Sequence, residues 1–131
     1  MSLEKKVFRS GPYADLIAQG VQVGNAIYLS GQVGMREDGS TPDDVVEQVT
    51  LAYANISSVL AEFGATLDNV VDETFLVTDV TEVMTNLEAV FAARQEAYGQ
   101  KPDVTQTLIG VAALLLPELK IEIKCVAHLQ V

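Results

Sequence analysis

The chain has one cysteine, one histidine and no tryptophan among its 131 residues. A lone thiol, Cys125, excludes an internal disulfide and leaves no cysteine cluster for zinc. A lone imidazole, His128, excludes a histidine pair working as acid and base. Basic residues are also scarce: eight lysines and arginines face 18 acidic residues, for a formal net charge of -10. The basic residues are Lys5, Lys6, Arg9, Arg36, Arg94, Lys101, Lys120 and Lys124, scattered along the chain. Such a chain repels a phosphate backbone, so no nucleic-acid partner is expected. No run approaches the roughly 18 apolar residues of a spanning helix, and no apolar segment of a signal peptide precedes residue 10. No membrane partner is expected, and a reducing cytoplasm is the expected setting. The phosphate-binding loop, the dinucleotide glycine fingerprint, G-x-S-x-G and H-E-x-x-H are all missing. No cofactor and no metal are expected.

What the chain does have is apolar residues, at 49% of the total. That content suits one domain over residues 1–131 with one sizeable core. The mean hydropathy of +0.25 is high for so short a chain. A small domain has much surface for its volume, so some apolar surface is expected to lie against another subunit.

The segment KKVFRS reads as a short strand, followed by a turn at Gly11-Pro12. In GVQVGNAIYLSGQVG, Val21 and Val23 alternate with Gln22, Gly24-Asn25 reverses the chain, and Ala26 to Val33 continues as a second strand. Gly31 inside that strand marks a bulge or a close approach to the backbone. Thr41-Pro42-Asp43-Asp44 reads as a helix start, with Thr41 as the cap and Pro42 in the first position. Val45, Val49, Ala52, Tyr53, Ile56, Val59, Leu60 and Phe63 then form one apolar stripe ending at Gly64, opposite Glu47, Thr50, Asn55 and Glu62. A β-branched run predicts a strand near residues 70–78. Thr81 is read as the cap of a second helix, with Met84, Leu87, Val90 and Phe91 on its stripe, ending near Gly99. In the last segment Leu119, Ile121, Ile123, Cys125, Ala127 and Leu129 alternate with Lys120, Glu122, Lys124, Val126, His128 and Gln130, which is the period of a strand with one buried face. The fold class is therefore α+β, a mixed sheet with both helices on one face.

The residues able to do chemistry each have a plainer reading. Cys125 falls on the apolar phase, where a free thiol acts as a small hydrophobe. His128 falls on the polar phase and faces solvent. Glu122 lies between Lys120 and Lys124, as a surface carboxylate with two favourable neighbours on its face would. The residues alone indicate an oligomeric α+β domain and no more.

Taken together and in order, GVQVGNAIYLSGQVG, EQVTLAYANISSVLAEFGATLDNVVDETFLVTDV, Asn86 with Phe91, and Pro102 with LKIEIKCVA resemble the RidA family, also called the YjgF or L-PSP endoribonuclease family. The match runs from about residue 17 to residue 128. The resemblance implies a chorismate-mutase-like fold, a homotrimer with a central β-barrel, and a small-molecule cleft at each subunit interface. Deaminases of this family hydrolyse enamines and imines such as 2-aminoacrylate and 2-iminopropanoate without metal or cofactor. It implies a catalytic role for Glu122, toward water, and ligand-binding positions at Gly31, Asn86, Val104 and Ile17. Two positions depart from the family pattern. Val104 stands two residues after Pro102, where those deaminases carry an arginine that grips the substrate carboxylate, and Ile17 stands where a tyrosine is expected. Arg9, Arg36 and Arg94 are alternative cations, Arg94 being read as a solvated helix charge. A deaminase-like hydrolase and a non-catalytic metabolite-binding or regulatory trimer are both compatible with this pattern; endoribonuclease action is the weakest reading.

Overall fold

The period-two segment at the end of the chain forms the strand at the centre of the sheet. A computed structural model describes residues 2–130. Its elements, in chain order, are β1 (Lys6–Phe8), β2 (Gly20–Val23), β3 (Ala26–Leu29), β4 (Gln32–Val33), α1 (Val45–Ala61), a 3-10 turn (Leu67–Asn69), β5 (Val70–Val77), α2 (Val80–Thr85), α3 (Leu87–Tyr98), β6 (Thr105–Gly110) and β7 (Ile121–His128). The strands run β1-β2-β3-β7-β5-β6 across the sheet, with β4 also paired to β7. β5 and β6 are parallel and the other pairings antiparallel. The fold is that of an α+β domain with a mixed sheet, as expected.

The alternation of β7 decides which side of the sheet is covered. Ile121, Ile123, Cys125 and Ala127 are buried, together with Ile27, Leu29, Phe75 and Val77 of neighbouring strands. The whole expected stripe of α1, from Val45 to Leu60, is buried against them, and Phe63 just beyond the helix joins it. Each such aliphatic side chain contributes about 1.5–3 kcal/mol through removal from water. The other side of the sheet carries no helix among the described residues. Tyr28 (49% exposed) and Ile109 (44%) lie there, with Leu76, Glu122 and Val126 in the same phase through the register Ile109↔Leu76↔Glu122 and Tyr28↔Val126.

Four local expectations are corrected. The helix α1 is capped by Asp44, whose carboxylate accepts from the Val46 amide, and not by Thr41. Asp44 is itself still extended (φ -77°, ψ 127°), and the segment before it is tied down by the buried Gln48 side chain, which donates to the Pro42 carbonyl at 2.8 Å. The same amide donates to the Glu118 carbonyl (3.0 Å) and accepts from the Lys120 amide (2.8 Å), tying α1 to the approach of β7. Asn55, expected on the polar face of α1, is half-buried and donates to the carbonyls of Val33 and Met35. Asp79 caps α2 in place of Thr81, accepting from the Glu82 amide, because it is the last residue still in an extended conformation. The single second helix is two, interrupted at Asn86 (φ -106°, ψ 21°), and the shift in phase buries Val83 while Met84 stays 56% exposed.

Candidate functional site

The candidate site grows out of an irregularity beside β7. Tyr28 lies opposite Val126 and Gln32 opposite Ile123. Four steps on one side thus match three on the other, so the chain takes up one extra residue between β3 and β4, a β-bulge. Gly31 sits in that bulge. A methyl group on Gly31 would lie 2.5 Å from the carboxyl carbon of Glu122, so the Glu122 side chain occupies the space a side chain at 31 would need. The expected close approach at Gly31 is thereby explained, and it brings Gly31 and Glu122 together. The bulge is fastened from below: Ser30 donates through its hydroxyl to the Ala18 carbonyl (2.6 Å) and through its amide to the Gln19 carbonyl (2.9 Å). Ile17, adjacent to that fastening, is 46% exposed. Tyr13, also exposed, lies one helical turn before it, its carbonyl accepting from the Ile17 amide.

Glu122 is half-buried, and desolvation raises its pKa above the ordinary carboxylate value, an effect the charge of Lys124 partly offsets. Lys124 lies two residues on, in the same phase of β7, and its ammonium donates to the Leu29 carbonyl at the start of the bulge (3.1 Å). Only two ion pairs form among the described residues, Arg94 with Glu73 and Lys120 with Glu82, so Glu122 and Lys124 do not pair with each other.

The remaining expected site residues lie differently. Asn86 turns its side-chain amide back to the Glu82 carbonyl (2.8 Å), and the Glu82 carboxylate pairs with Lys120 (2.8 Å), two residues before Glu122. Val104 packs against the core. The even-numbered residues of β6 point inward, since Gln106 is paired with the buried Glu73 and Leu108 with the buried Phe75. The position two residues after Pro102 is therefore on the opposite side of the sheet from Glu122, and the outward positions are Thr105, Thr107 and Ile109. Strand phase thus turns Val104 toward the core of the chain.

Arg94 is corrected more sharply. It is not a solvated charge: its Nε donates to Glu73 Oε2 at 2.6 Å, with its side chain 12% exposed and that of Glu73 fully buried. The hydroxyls of Tyr53 and Tyr98 donate to the other oxygen at 2.8 and 2.7 Å. Burial, and then the Glu73 charge, push both tyrosine pKa values far up, so the phenols stay protonated donors. A legible signal existed. Arg94 stands four residues from each of the buried Val90 and Tyr98, and Glu73 is in phase with Phe75 and Val77. Of the other arginines, Arg36 donates to Ser40 Oγ and Arg9 to the Ala14 carbonyl.

Cys125 is buried, and burial drives its thiol pKa up, as suits a core residue; His128 is exposed at the strand end. No group of three or more potential metal ligands gathers among the described residues. A depression of about 260 Å³ between α1 and α3, lined by Tyr53, Ser57, Ala93 and Glu96, lies on the helical layer and does not include Glu122. No helix is long and apolar enough to cross a membrane.

Comparison with known proteins matches residues 9–129 to the family described as Endoribonuclease L-PSP. The chain is 33% identical over 109 residues to the RutC family protein YjgH of Escherichia coli K12, covering 83% of this chain and 79% of that protein. It is 30% identical over 106 residues to a 2-iminobutanoate/2-iminopropanoate deaminase of Dermatophagoides farinae, covering 79% and 76%. Among solved structures, the YjgF gene product of Escherichia coli superimposes with a TM-score of 0.82 at 26% identity, covering 95% of this chain and 99% of that one.

Proposed function

From the membership of this chain in the RidA/YjgF family, the family described as Endoribonuclease L-PSP, we propose that it hydrolyses a small imine or enamine-like metabolite, with Glu122 as the general base toward water. The observation that carries this reading is the Glu122 carboxylate resting on Gly31, on the sheet face left without a helix. A relative named as a 2-iminobutanoate/2-iminopropanoate deaminase supports the substrate class. The exposed apolar residues Tyr28 and Ile109 on that face support a homotrimer in which neighbouring sheets cover one another and the cleft lies between subunits.

The reaction asks little of the protein. Water adds to the carbon of the protonated imine while Glu122 takes one of its protons, giving a neutral carbinolamine. Glu122 returns that proton to nitrogen, the C–N bond breaks to release ammonia, and the remaining hydroxyl proton passes back to the Glu122 carboxylate, leaving the carbonyl product. A base for this step needs an affinity for protons nearer the working pH than an exposed carboxylate has, and burial moves Glu122 in that direction. Such a base acts in its ionised form, so the rate falls as pH drops through a pKa raised above the carboxylate norm.

The test is ammonia release from freshly generated 2-iminopropanoate by the wild type and by Glu122→Gln across pH 4–8. The wild type is expected to accelerate hydrolysis with an acid limb above the usual carboxylate range. The variant should lose about 100-fold or more, the typical worth of a positioned base. Equal rates for the two proteins would refute the role of Glu122. A second reading, a trimer that binds a metabolite without transforming it, draws support from Ile17, exposed beside the bulge where the family pattern has a tyrosine. It predicts ligand-induced thermal stabilisation with no turnover.

A further inference from the structure

We infer that Lys124 is the cation that receives the carboxylate of the ligand, an inference that deepens the proposed hydrolase reading and rests on it. Three observations lead there. First, two of the other cations are neutralised elsewhere: Arg94 is held by buried Glu73 and Lys120 by Glu82. Second, Lys124 shares the face of Glu122, two residues along β7, and its ammonium is anchored to Leu29 O, at the bulge on which the Glu122 carboxylate lies. One hydrogen bond to a carbonyl leaves two of the three ammonium protons for a ligand. Third, the two opposite charges sit in one patch without closing into an ion pair.

That arrangement suits a small 2-imino or 2-oxo acid. Its carboxylate meets Lys124, and its adjacent electrophilic carbon faces the water held by Glu122. A lysine offers a point charge where an arginine offers a planar fork, so the site selects for negative charge with looser demands on carboxylate orientation. The chemistry is compatible with a larger or bent acid.

The discriminating experiment measures binding of pyruvate and of its neutral amide, pyruvamide, to the assembled wild type, Lys124→Met and Lys124→Arg, with turnover of 2-iminopropanoate in parallel. The wild type is expected to prefer pyruvate. Lys124→Met should weaken pyruvate roughly tenfold or more, in line with loss of a charge-assisted hydrogen bond, and leave pyruvamide unchanged. In turnover, KM should rise while kcat stays within about threefold. Lys124→Arg should restore the preference. Retention of the preference in Lys124→Met, or equal loss for both ligands with a change in oligomeric mass, would overturn the assignment. Turnover by a wild type that shows no preference would overturn it too while leaving the hydrolase reading intact. A Lys124-dependent preference without turnover would do the reverse.

Discussion

At position 31 the absence of a side chain is itself a requirement of the site. The room a methyl would need is filled by the carboxyl group of Glu122, so Gly31→Ala must push that group outward. The obstacle is the end of a flexible side chain, and the cost to folding is expected to be small, about 1 kcal/mol, at the low end for overpacking. The cost to activity should be large, because the displaced carboxylate becomes better hydrated and its pKa falls back toward the ordinary value. An acid limb shifted to lower pH, with a reduced plateau rate and a near-wild-type melting temperature, is the expected result. An unchanged profile would mean that the approach has no functional weight.

At the scale of elements, the buried carboxylate between β5 and the two long helices is the most consequential contact outside the candidate site. Glu73 receives three hydrogen bonds from Arg94, Tyr53 and Tyr98, and its charge is tolerable only while they are made. Arg94→Met leaves that carboxylate buried without its cation and should cost about 3–5 kcal/mol in urea denaturation. Adding Glu73→Gln should recover part of the loss, and a strictly additive double variant would show that the two side chains do not act as a pair. Elements read from apolar periodicity were legible: β7 and the stripe of α1 match residue by residue, because alternation and the 3.6 repeat report directly which side faces the core. The charged core was not, because Arg94 was weighed by residue type and not by phase, and Glu73 drew no reading at all. Helix starts were misplaced for a related reason. Several acids and threonines near Pro42 and Thr81 can all cap, and only the tertiary hold on the preceding segment selects Asp44 and Asp79. The site was half legible. Glu122, Gly31 and Val104 all came from resemblance; the bulge brings the first two together, whereas the phase of the segment after Pro102, which resemblance does not report, turns Val104 toward the core.

For the molecule as a whole, the open sheet face and the formal charge of -10 oppose each other. Apolar contact drives copies together and self-repulsion drives them apart. In the proposed trimer Ile109→Glu should therefore leave the isolated fold intact, since the residue is 44% exposed in the chain alone, and yet dissociate the assembly, as read by light scattering. A wild type that is monomeric throughout would remove the intersubunit cleft from the proposal. One more feature acts at this scale. With a single thiol the chain has no covalent means of closing long loops on itself. The Gln48 amide fills that role, joining positions 72 residues apart at Lys120 and gripping Pro42 and Glu118 on the way. It works as a staple made of hydrogen bonds, so reductants and oxidants that would open or reshuffle a disulfide leave this long-range closure untouched.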